Sequence, residues 1–503
     1  MDQSLYFLTS LLLLFLLFIR FLRKQATQYS KSNLPPGPQT LPFIGSLHHL
    51  ATGSLPHHAL RDLARLYGPV MLLRAGQTDL VVITSREAAK EVMQTQDANL
   101  ANRPAIYVAK VLMYGSTGII FSDGPYWREV RRICTNELFT PKRVKSFSSI
   151  RREEINSLLK SFRLVSGKSP VNLSARTCEL SNNIIISAAF GGKCKMRGMF
   201  LEILREILEL LSGFHLSDLF PSFSWLDVKM RRRVARLHSK MDLVLEEIVQ
   251  EHLKNRQQQK KRGEEDQIEC DFVDVLINVK ERGDLEVPIT MDNIKAVILD
   301  VFLAGTETSA TTITWAMTEL IKHPEIMAKA QTEIRQAASD NANFDENTLS
   351  YLQLVIKETL RLHPPGPLLA PRLCKESCQV LGYTIPSGAR IVINGWALGR
   401  NPDYWSDPNE FKPERFETHA IDFKGNNFEF VPFGAGRRIC PGLKFGVTVV
   451  EEALASLLLH FDWKLPDGMK PEDVDVTEAF GLVAAKKEPL YLVPILRVPL
   501  PDF

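Results

Sequence analysis

The segment Pro432-Phe-Gly-Ala-Gly-Arg-Arg-Ile-Cys-Pro-Gly442 is rich in glycine and contains a single cysteine. It places Cys440 in a turn that opens an apolar helical pattern. Backbone N–H groups and the positive end of the helix dipole converge on such a sulfur, which lowers its pKa and favours the thiolate. Gly436 and Gly442 allow close approach of a flat cofactor and of a neighbouring helix, and Arg438 can pair with a carboxylate on that cofactor. The alternative is a buried structural cysteine.

The composition is that of a folded globular protein. The 503 residues are 45% hydrophobic and 24% charged, which excludes a disordered, collagen-like or coiled-coil chain. Lys and Arg number 61 against 58 Asp and Glu, so the net charge is +3 and we predict no nucleic-acid partner. Seven scattered cysteines indicate reduced thiols in a cytosolic compartment rather than a disulfide framework.

Hydrophobic periodicity predicts a mainly α fold with a minor β-sheet. Helical patterns cover residues 86–96, 150–164, 231–256, 291–322 and 349–362, and β-like runs cover residues 70–74, 80–83, 390–393 and 490–494. The charged, Gln-rich stretch 254–265 is predicted to be a solvated loop between helices. The sequence has no dinucleotide-binding glycine fingerprint, no Walker loop and no zinc-type cluster.

The N-terminus predicts a membrane anchor. Residues 5–22 read LYFLTSLLLLFLLFIRFL, and as a helix they would span roughly 27 Å. The alternative is a cleaved signal peptide, but Asp2 is acidic where a basic start is expected, and basic residues occupy the cleavage region. Positive charge after the span favours a cytosolic domain. We therefore predict an anchor at 1–24, a basic and proline-rich hinge at 25–45, and one domain at 46–503.

The full pattern Phe433-x-x-Gly436-x-Arg438-x-Cys440-x-Gly442 is highly specific. It resembles the haem-thiolate loop of the cytochrome P450 family, and the resemblance extends over nearly the whole chain. Further segments match in the family's order and spacing: Trp127-Arg-Glu-Val-Arg131, Ala304-Gly-Thr-Glu-Thr308, Glu358-Thr-Leu-Arg361 and Pro413-Glu-Arg-Phe416. The cysteine segment and the proline-rich hinge resemble the plant microsomal branch. The resemblance implies the cytochrome P450 fold and haem b (iron protoporphyrin IX).

The resemblance also implies roles for individual residues. Cys440 becomes the metal ligand, and Glu307 with Thr308 become the catalytic pair that delivers protons to O₂. The implied haem-binding residues are Cys440, Phe433, Gly305, Trp127, Arg131, Arg372, Arg438 and Arg103. Glu358, Arg361 and Arg415 become a structural cluster that holds the cysteine loop. Without the resemblance, Thr308 fits a threonine that bonds back to a carbonyl of its own helix. The pair Glu358 and Arg361 fits a weak surface ion pair, and Trp127 with Arg131 fits one face of an amphipathic helix.

Family positions also suggest a substrate pocket. Its implied lining is Ile119, Val301, Ala304, Leu368, Leu369, Leu482 and Val483, although each of these residues equally fits an ordinary core. An apolar lining favours a hydrophobic small molecule. The plant-type resemblance favours a terpenoid of specialised metabolism, with a phenylpropanoid or an alkaloid as alternatives.

We therefore predict a haem-thiolate monooxygenase in the endoplasmic reticulum membrane, single-pass, with its catalytic domain in the cytosol. Its electrons would derive from NADPH through NADPH–cytochrome P450 reductase, with cytochrome b5 as a second donor. Arg128, Arg132 and Lys444 are predicted to form a basic docking patch for that donor. The alternatives are a reductase-independent haem-thiolate isomerase or dehydratase, which Glu307 and Thr308 disfavour, and a non-catalytic haem sensor.

Overall fold

A computed structural model describes residues 33–51, 53–191, 196–213, 215–262, 271–283, 285–340, 349–418 and 420–500. The predicted anchor at 1–24 lies outside the described residues, as does the hinge up to residue 32. The mainly helical fold with a minor sheet agrees with the prediction.

The helices account for most of the described chain. α-Helices span Pro56–Tyr67, Arg86–Lys90, Asp97–Leu100, Tyr107–Leu112, Gly124–Ile133, Pro141–Ser146, Ser148–Val165, Leu173–Phe190, Arg197–Ser212, Leu216–Leu219, Val228–Arg262, Phe272–Arg282, Met291–Lys322, Pro324–Asp340, Ser350–Leu362, Gly395–Leu398 and Leu443–His460. Short 3₁₀ turns span Leu47–His49, Pro221–Leu226, Pro413–Phe416, Gly436–Arg438 and Pro471–Asp473, and π-helical turns span Glu91–Thr95 and Cys134–Leu138. The predicted loop at 254–265 is wrong over its first part, because the helix Val228–Arg262 continues through its charged residues.

In the described part of the chain, three small sheets border the helices. The largest has the strand order Val70–Ala75, Thr78–Ile83, Arg390–Ile393, Arg372–Leu373. Its first pair is an antiparallel hairpin, its second pair is parallel with Leu80 opposite Arg390, and its last pair is antiparallel. A second sheet joins Val171–Asn172, Tyr491–Leu496 and Phe461–Lys464, and a third pairs Cys378–Val380 with Tyr383–Ile385.

The helix Met291–Lys322, hereafter the central helix, organises the core. Thr290 caps its start, because the Thr290 hydroxyl accepts from Asn293 N (3.2 Å) and the Asn293 side chain accepts from Thr290 N (2.8 Å). Pro324 follows its end and begins the next helix. Among the described residues this is the one helix long and apolar enough to cross a membrane, but 78% of its apolar window is buried. It is therefore a core helix of the domain.

The described part of the predicted hinge is bound to the main sheet. Leu72 N donates to Pro36 O at 2.9 Å, and a Cβ on Gly37 would lie 1.9 Å from Leu72 O. Pro35 and Pro38 are buried beside this contact. Only glycine permits so close an approach, so the proline-rich segment is fixed against the strand Val70–Ala75 and is not a free linker.

Candidate active site

The cysteine loop, residues 432–442, is a tight turn that closes on its own backbone. Cys440 N donates to Phe433 O at 2.9 Å, and Gly434 and Gly436 adopt φ of 69° and 67°. A Cβ on Gly436 would lie 1.9 Å from Met93 O. This glycine therefore provides both a left-handed turn and a close approach to the π-helical turn Glu91–Thr95, as predicted for a neighbouring helix.

The Cys440 thiol lies half-buried at the start of the helix Leu443–His460. Burial raises its pKa, while the Gly442 N–H and the Arg131 guanidinium oppose that rise. Desolvation therefore outweighs the backbone donors that the sequence analysis expected to lower the pKa of this thiol. A cation bound at the sulfur would stabilise the thiolate.

Arginine side chains gather on one side of the cysteine loop. The Arg438 guanidinium lies 3.9 Å from the centroid of the Trp127 ring, and its Nη2 donates to Ser122 O (2.7 Å) and to Asp123 (2.5 Å). Asp123 also accepts from Arg103 N at 2.9 and 3.0 Å. The bond between Arg438 and Asp123 joins the cysteine loop to the segment that precedes the helix Gly124–Ile133.

Asp97 provides the second anion of this arginine cluster. Arg372 Nη1 donates to Asp97 at 2.7 Å, and Arg372 Nη2 donates to Ala435 O at 3.0 Å. The other Asp97 oxygen accepts from Arg437 N at 2.8 Å. Asp97 is 4% exposed, so this carboxylate fixes the cysteine loop from the interior. The sequence analysis missed both Asp97 and Asp123, since their partners lie far away in the chain.

The charge of the cluster fits an anionic cofactor. Arg103 donates to the carbonyls of Ile120, Ala370 and Pro371, and burial together with Arg438 and Arg372 lowers its pKa. Arg131 is half-buried, and its guanidinium has no hydrogen bond or ion pair among the described residues. The described carboxylates of the cluster are Asp97 and Asp123, and the guanidiniums of Arg103, Arg131, Arg372, Arg437 and Arg438 outnumber them. This surplus of positive charge fits a cofactor that carries carboxylates, as haem does through its propionates.

The central helix is locally exposed where its acid–alcohol pair lies. Residues 294–303 and 309–321 are buried, whereas Ala304 is exposed and Gly305, Glu307 and Thr308 are half-buried. Thr308 Oγ1 donates to Ala304 O at 2.7 Å. Burial raises the pKa of Glu307, and Arg205 opposes that rise. An exposed alanine in the middle of a buried helix marks an internal space, which the hydroxyl of Thr308 borders.

Asp300 is a second buried acid that the sequence analysis missed. It is 1% exposed, its Oδ2 accepts from Ile120 N at 2.9 Å, and burial raises its pKa to about 7. A Cβ on Gly118 would lie 2.1 Å from the same oxygen, so glycine is required there. Asp300 therefore ties the segment that carries Ile119 to the central helix. The available signal was a lone acid in the apolar stretch 296–303.

The structure brings Glu358, Arg361 and Arg415 into one buried cluster. Arg361 binds Glu358 through two bonds of 2.7 and 2.8 Å, and Arg415 Nε binds Glu358 at 2.9 Å. The side chains of Glu358 and Arg361 are both 0% exposed. The arginines also donate to carbonyls of the segment before the cysteine loop: Gly399, Pro408, Glu410, Ser406 and Asp407. The alternative interpretation of Glu358 and Arg361 as a weak surface ion pair is therefore wrong.

The suggested pocket residues differ in exposure. Val301 and Val483 are each 8% exposed and belong to the buried interior. Leu368 packs against a small apolar cluster that includes Met71 and Leu73 of the main sheet. Leu369 packs against a second cluster, which includes Val81 and Ile391, and its own backbone φ is 52°. Leu482 is 47% exposed, and its N–H bonds to the Ser212 hydroxyl at 2.9 Å. Ala304 lies on the exposed turn of the central helix. Ile119 lies in the segment that the Ile120 N–H holds to Asp300 of the same helix.

Comparison with known proteins identifies the class to which this fold and site belong. The cytochrome P450 family model matches residues 35–493. A solved structure of a zebra fish cytochrome P450 with progesterone is similar at a TM-score of 0.75, with 24% identity, covering 88% of this chain and 100% of that one. That likeness shows the cytochrome P450 fold.

Curated relatives are closer in sequence. Desmethyl-deoxy-podophyllotoxin synthase of Sinopodophyllum hexandrum is 49% identical over 97% of this chain and 96% of its own length. Premnaspirodiene oxygenase of Hyoscyamus muticus is 47% identical, covering 95% and 96%. 5-Epiaristolochene 1,3-dihydroxylase of Nicotiana tabacum is 48% identical, with the same coverage. The chain belongs to the cytochrome P450 family and is a monooxygenase. The family binds haem iron through a cysteine thiolate.

The buried Glu358 cluster yields a stability prediction. Glu358→Ala leaves Arg361 and Arg415 without their carboxylate, and we expect a loss of about 3–5 kcal/mol in the free energy of unfolding. Thermal unfolding followed by circular dichroism measures it. The matched control is Glu179→Ala, which breaks an exposed pair with Arg176 and should cost at most about 1 kcal/mol. Equal losses in the two variants would contradict a structural role for the cluster.

Proposed function

We propose that this monooxygenase oxidises a hydrophobic small molecule of plant specialised metabolism, with haem b bound through Cys440. The observation that carries the proposal is the half-buried Cys440 thiol beside an arginine cluster with a surplus of positive charge. Haem, when bound, supplies the oxygen chemistry. The chain supplies the thiolate ligand, the cationic partners of the propionates, and the exclusion of bulk water.

Protons would be delivered from the exposed turn of the central helix. The Thr308 hydroxyl borders the internal space and donates its single proton to Ala304 O; turned away from that carbonyl, the same hydroxyl could donate toward O₂. Glu307, whose pKa is raised by burial, is the acid that resupplies the proton, and Arg205 limits that rise. Trp127, Arg103, Arg131, Arg372 and Arg438 would orient the cofactor by pairing with its carboxylates.

A terpenoid is the substrate class that we favour. Two of the curated relatives are named for oxidation of premnaspirodiene and 5-epiaristolochene, which are terpenoids. Ile119 and Ala304, which adjoin the internal space, are apolar and suit a hydrophobic substrate. A phenylpropanoid is the second candidate, because podophyllotoxin, for which another relative is named, is built from phenylpropanoid units. A binding screen of both classes, followed by the shift of the haem Soret band, distinguishes them.

We further propose a single-pass anchor at 1–24 and a hinge at 25–45 that hold the domain on the cytosolic face of the endoplasmic reticulum. Electrons would arrive from NADPH–cytochrome P450 reductase, with cytochrome b5 as an additional donor. Product formation that requires NADPH and reductase separates this function from that of a haem-thiolate isomerase or a haem sensor. Membrane fractionation of a chain lacking residues 2–24 tests the anchor, since the haem spectrum should persist while the protein leaves the membrane.

The ligand assignment predicts a spectral result. Cys440→Ala should lose the ferrous–CO band near ~450 nm that a thiolate-ligated haem gives. The matched control is Cys178→Ala, which removes a half-buried thiol from the helix Leu173–Phe190 and should keep the band. Retention of the band in Cys440→Ala would overturn the assignment.

The proton-delivery role predicts uncoupling. Thr308→Ala should keep the haem spectrum while organic product per NADPH consumed falls by about tenfold or more and hydrogen peroxide rises. Product and peroxide are measured against NADPH oxidation. Thr318→Ala is the control, because Thr318 makes the same kind of bond, to Thr314 O at 2.8 Å, in a fully buried turn. Unchanged coupling in Thr308→Ala would refute the role.

The proposed electron entry predicts a salt-dependent defect. Arg128, Arg132 and Lys444 are exposed, and Arg132 pairs with Glu129 at 2.8 Å. Reversal of Arg128 and Lys444 to Glu should slow reduction by the reductase at low salt, because steering between opposite charges is lost. The defect should shrink at salt concentrations that screen charges beyond roughly 10 Å. Stopped-flow reduction measures this, and a normal rate at low salt would place the docking surface elsewhere.

A further inference from the structure

The central helix and the helix Leu173–Phe190 pack closely at Gly305. A Cβ on Gly305 would lie 2.9 Å from Ile185 Cδ1, so the missing side chain makes room for the neighbouring helix. Ser181, one turn before Ile185, is 2% exposed and donates its hydroxyl to Gly305 O at 3.1 Å. Gly305 therefore takes part in a helix contact, in addition to the cofactor role that the resemblance implies for it.

The Ser181 bond adds a donor to a carbonyl that the helix already uses. In a regular α-helix the Gly305 carbonyl accepts the amide of residue 309. The adjacent carbonyl, Ala304 O, likewise accepts an additional hydroxyl, that of Thr308 at 2.7 Å. Hydroxyls that share helical carbonyls weaken the backbone ladder and bend the helix. Two such bonds on consecutive carbonyls coincide with the one exposed turn inside the buried helix.

We propose that Ser181 is a positioning residue for oxygen activation. Its hydroxyl holds the Gly305 carbonyl toward the helix Leu173–Phe190 and loosens the turn that presents Thr308 to the internal space. Ser181 itself contacts neither substrate nor cofactor, and it acts through the backbone of Gly305. The inference rests on the proposed proton-delivery role of Thr308.

Ser181→Ala tests this role with two readouts. Without the hydroxyl, the Gly305 carbonyl serves only the amide of residue 309, so deuterium exchange in peptides covering 305–310 should slow by roughly two- to tenfold. Because the turn becomes more regular, organic product per NADPH should fall by roughly twofold to fivefold, with a matching rise in hydrogen peroxide. The exchange measurement needs no turnover, so it reports on the helix independently of activity.

Thr177→Val is the matched control. Thr177 lies four residues before Ser181 and bonds the Thr314 hydroxyl at 2.9 Å, so the variant breaks a contact between the same two helices without touching Gly305. It should lower the melting temperature about as much as Ser181→Ala while leaving exchange at 305–310 and coupling unchanged. Equal effects of both variants on coupling would overturn the inference, and so would unchanged exchange in Ser181→Ala. If Thr308→Ala alone uncouples, the proposed function stands and the inference about Ser181 fails.

Discussion

The buried carboxylate of Asp97 is the contact on which the cysteine loop depends. It accepts from Arg372, which lies 275 residues away, and from the backbone of Arg437, which lies 340 residues away. Removing a carboxylate from water is costly unless the carboxylate is paired and fully hydrogen-bonded, and here the strand Arg372–Leu373 and the cysteine loop supply the partners. Because Gly436 also lies against Met93 O, the cysteine loop is held on this side by the Asp97 carboxylate and by a backbone contact.

Local patterns predicted the helices and the cysteine loop well, because their information lies within a few residues. The central helix has the predicted limits, and the parallel pairing of Thr78–Ile83 with Arg390–Ile393 uses two predicted runs. Asp97 and Asp123 could not be predicted, since a carboxylate's partner is decided by topology. Asp300 is recognisable as a lone acid in the apolar stretch 296–303, but its partner Ile120 is not. The charged stretch after residue 254 was predicted to be a loop but continues the helix Val228–Arg262. Gln, Lys and Arg are good helix formers, so they extend an exposed helix as readily as they form a loop.

Burial, and not bonding pattern, separates Thr308 from the other threonines of the central helix. The hydroxyls of Thr306, Thr312, Thr314 and Thr318 also bond to the carbonyl four residues earlier. All four of these side chains are buried, so their hydroxyls satisfy a polar group in an apolar helix and meet no ligand. Sequence alone does not separate Thr308 from the other threonines of this helix, and only the family pattern singles out Thr308. The exposed Ala304 supplies the physical reason for that choice.

The incomplete neutralisation of the arginine cluster has a consequence for selectivity. Further carboxylates would balance the guanidiniums and remove their mutual repulsion, but they would also occupy the donors that an anionic ligand needs. The surplus of positive charge favours a ligand that brings carboxylates, and the ring of Trp127 lies beside the Arg438 guanidinium. Burial makes the discrimination sharper, because unpaired charge costs more there than at the surface.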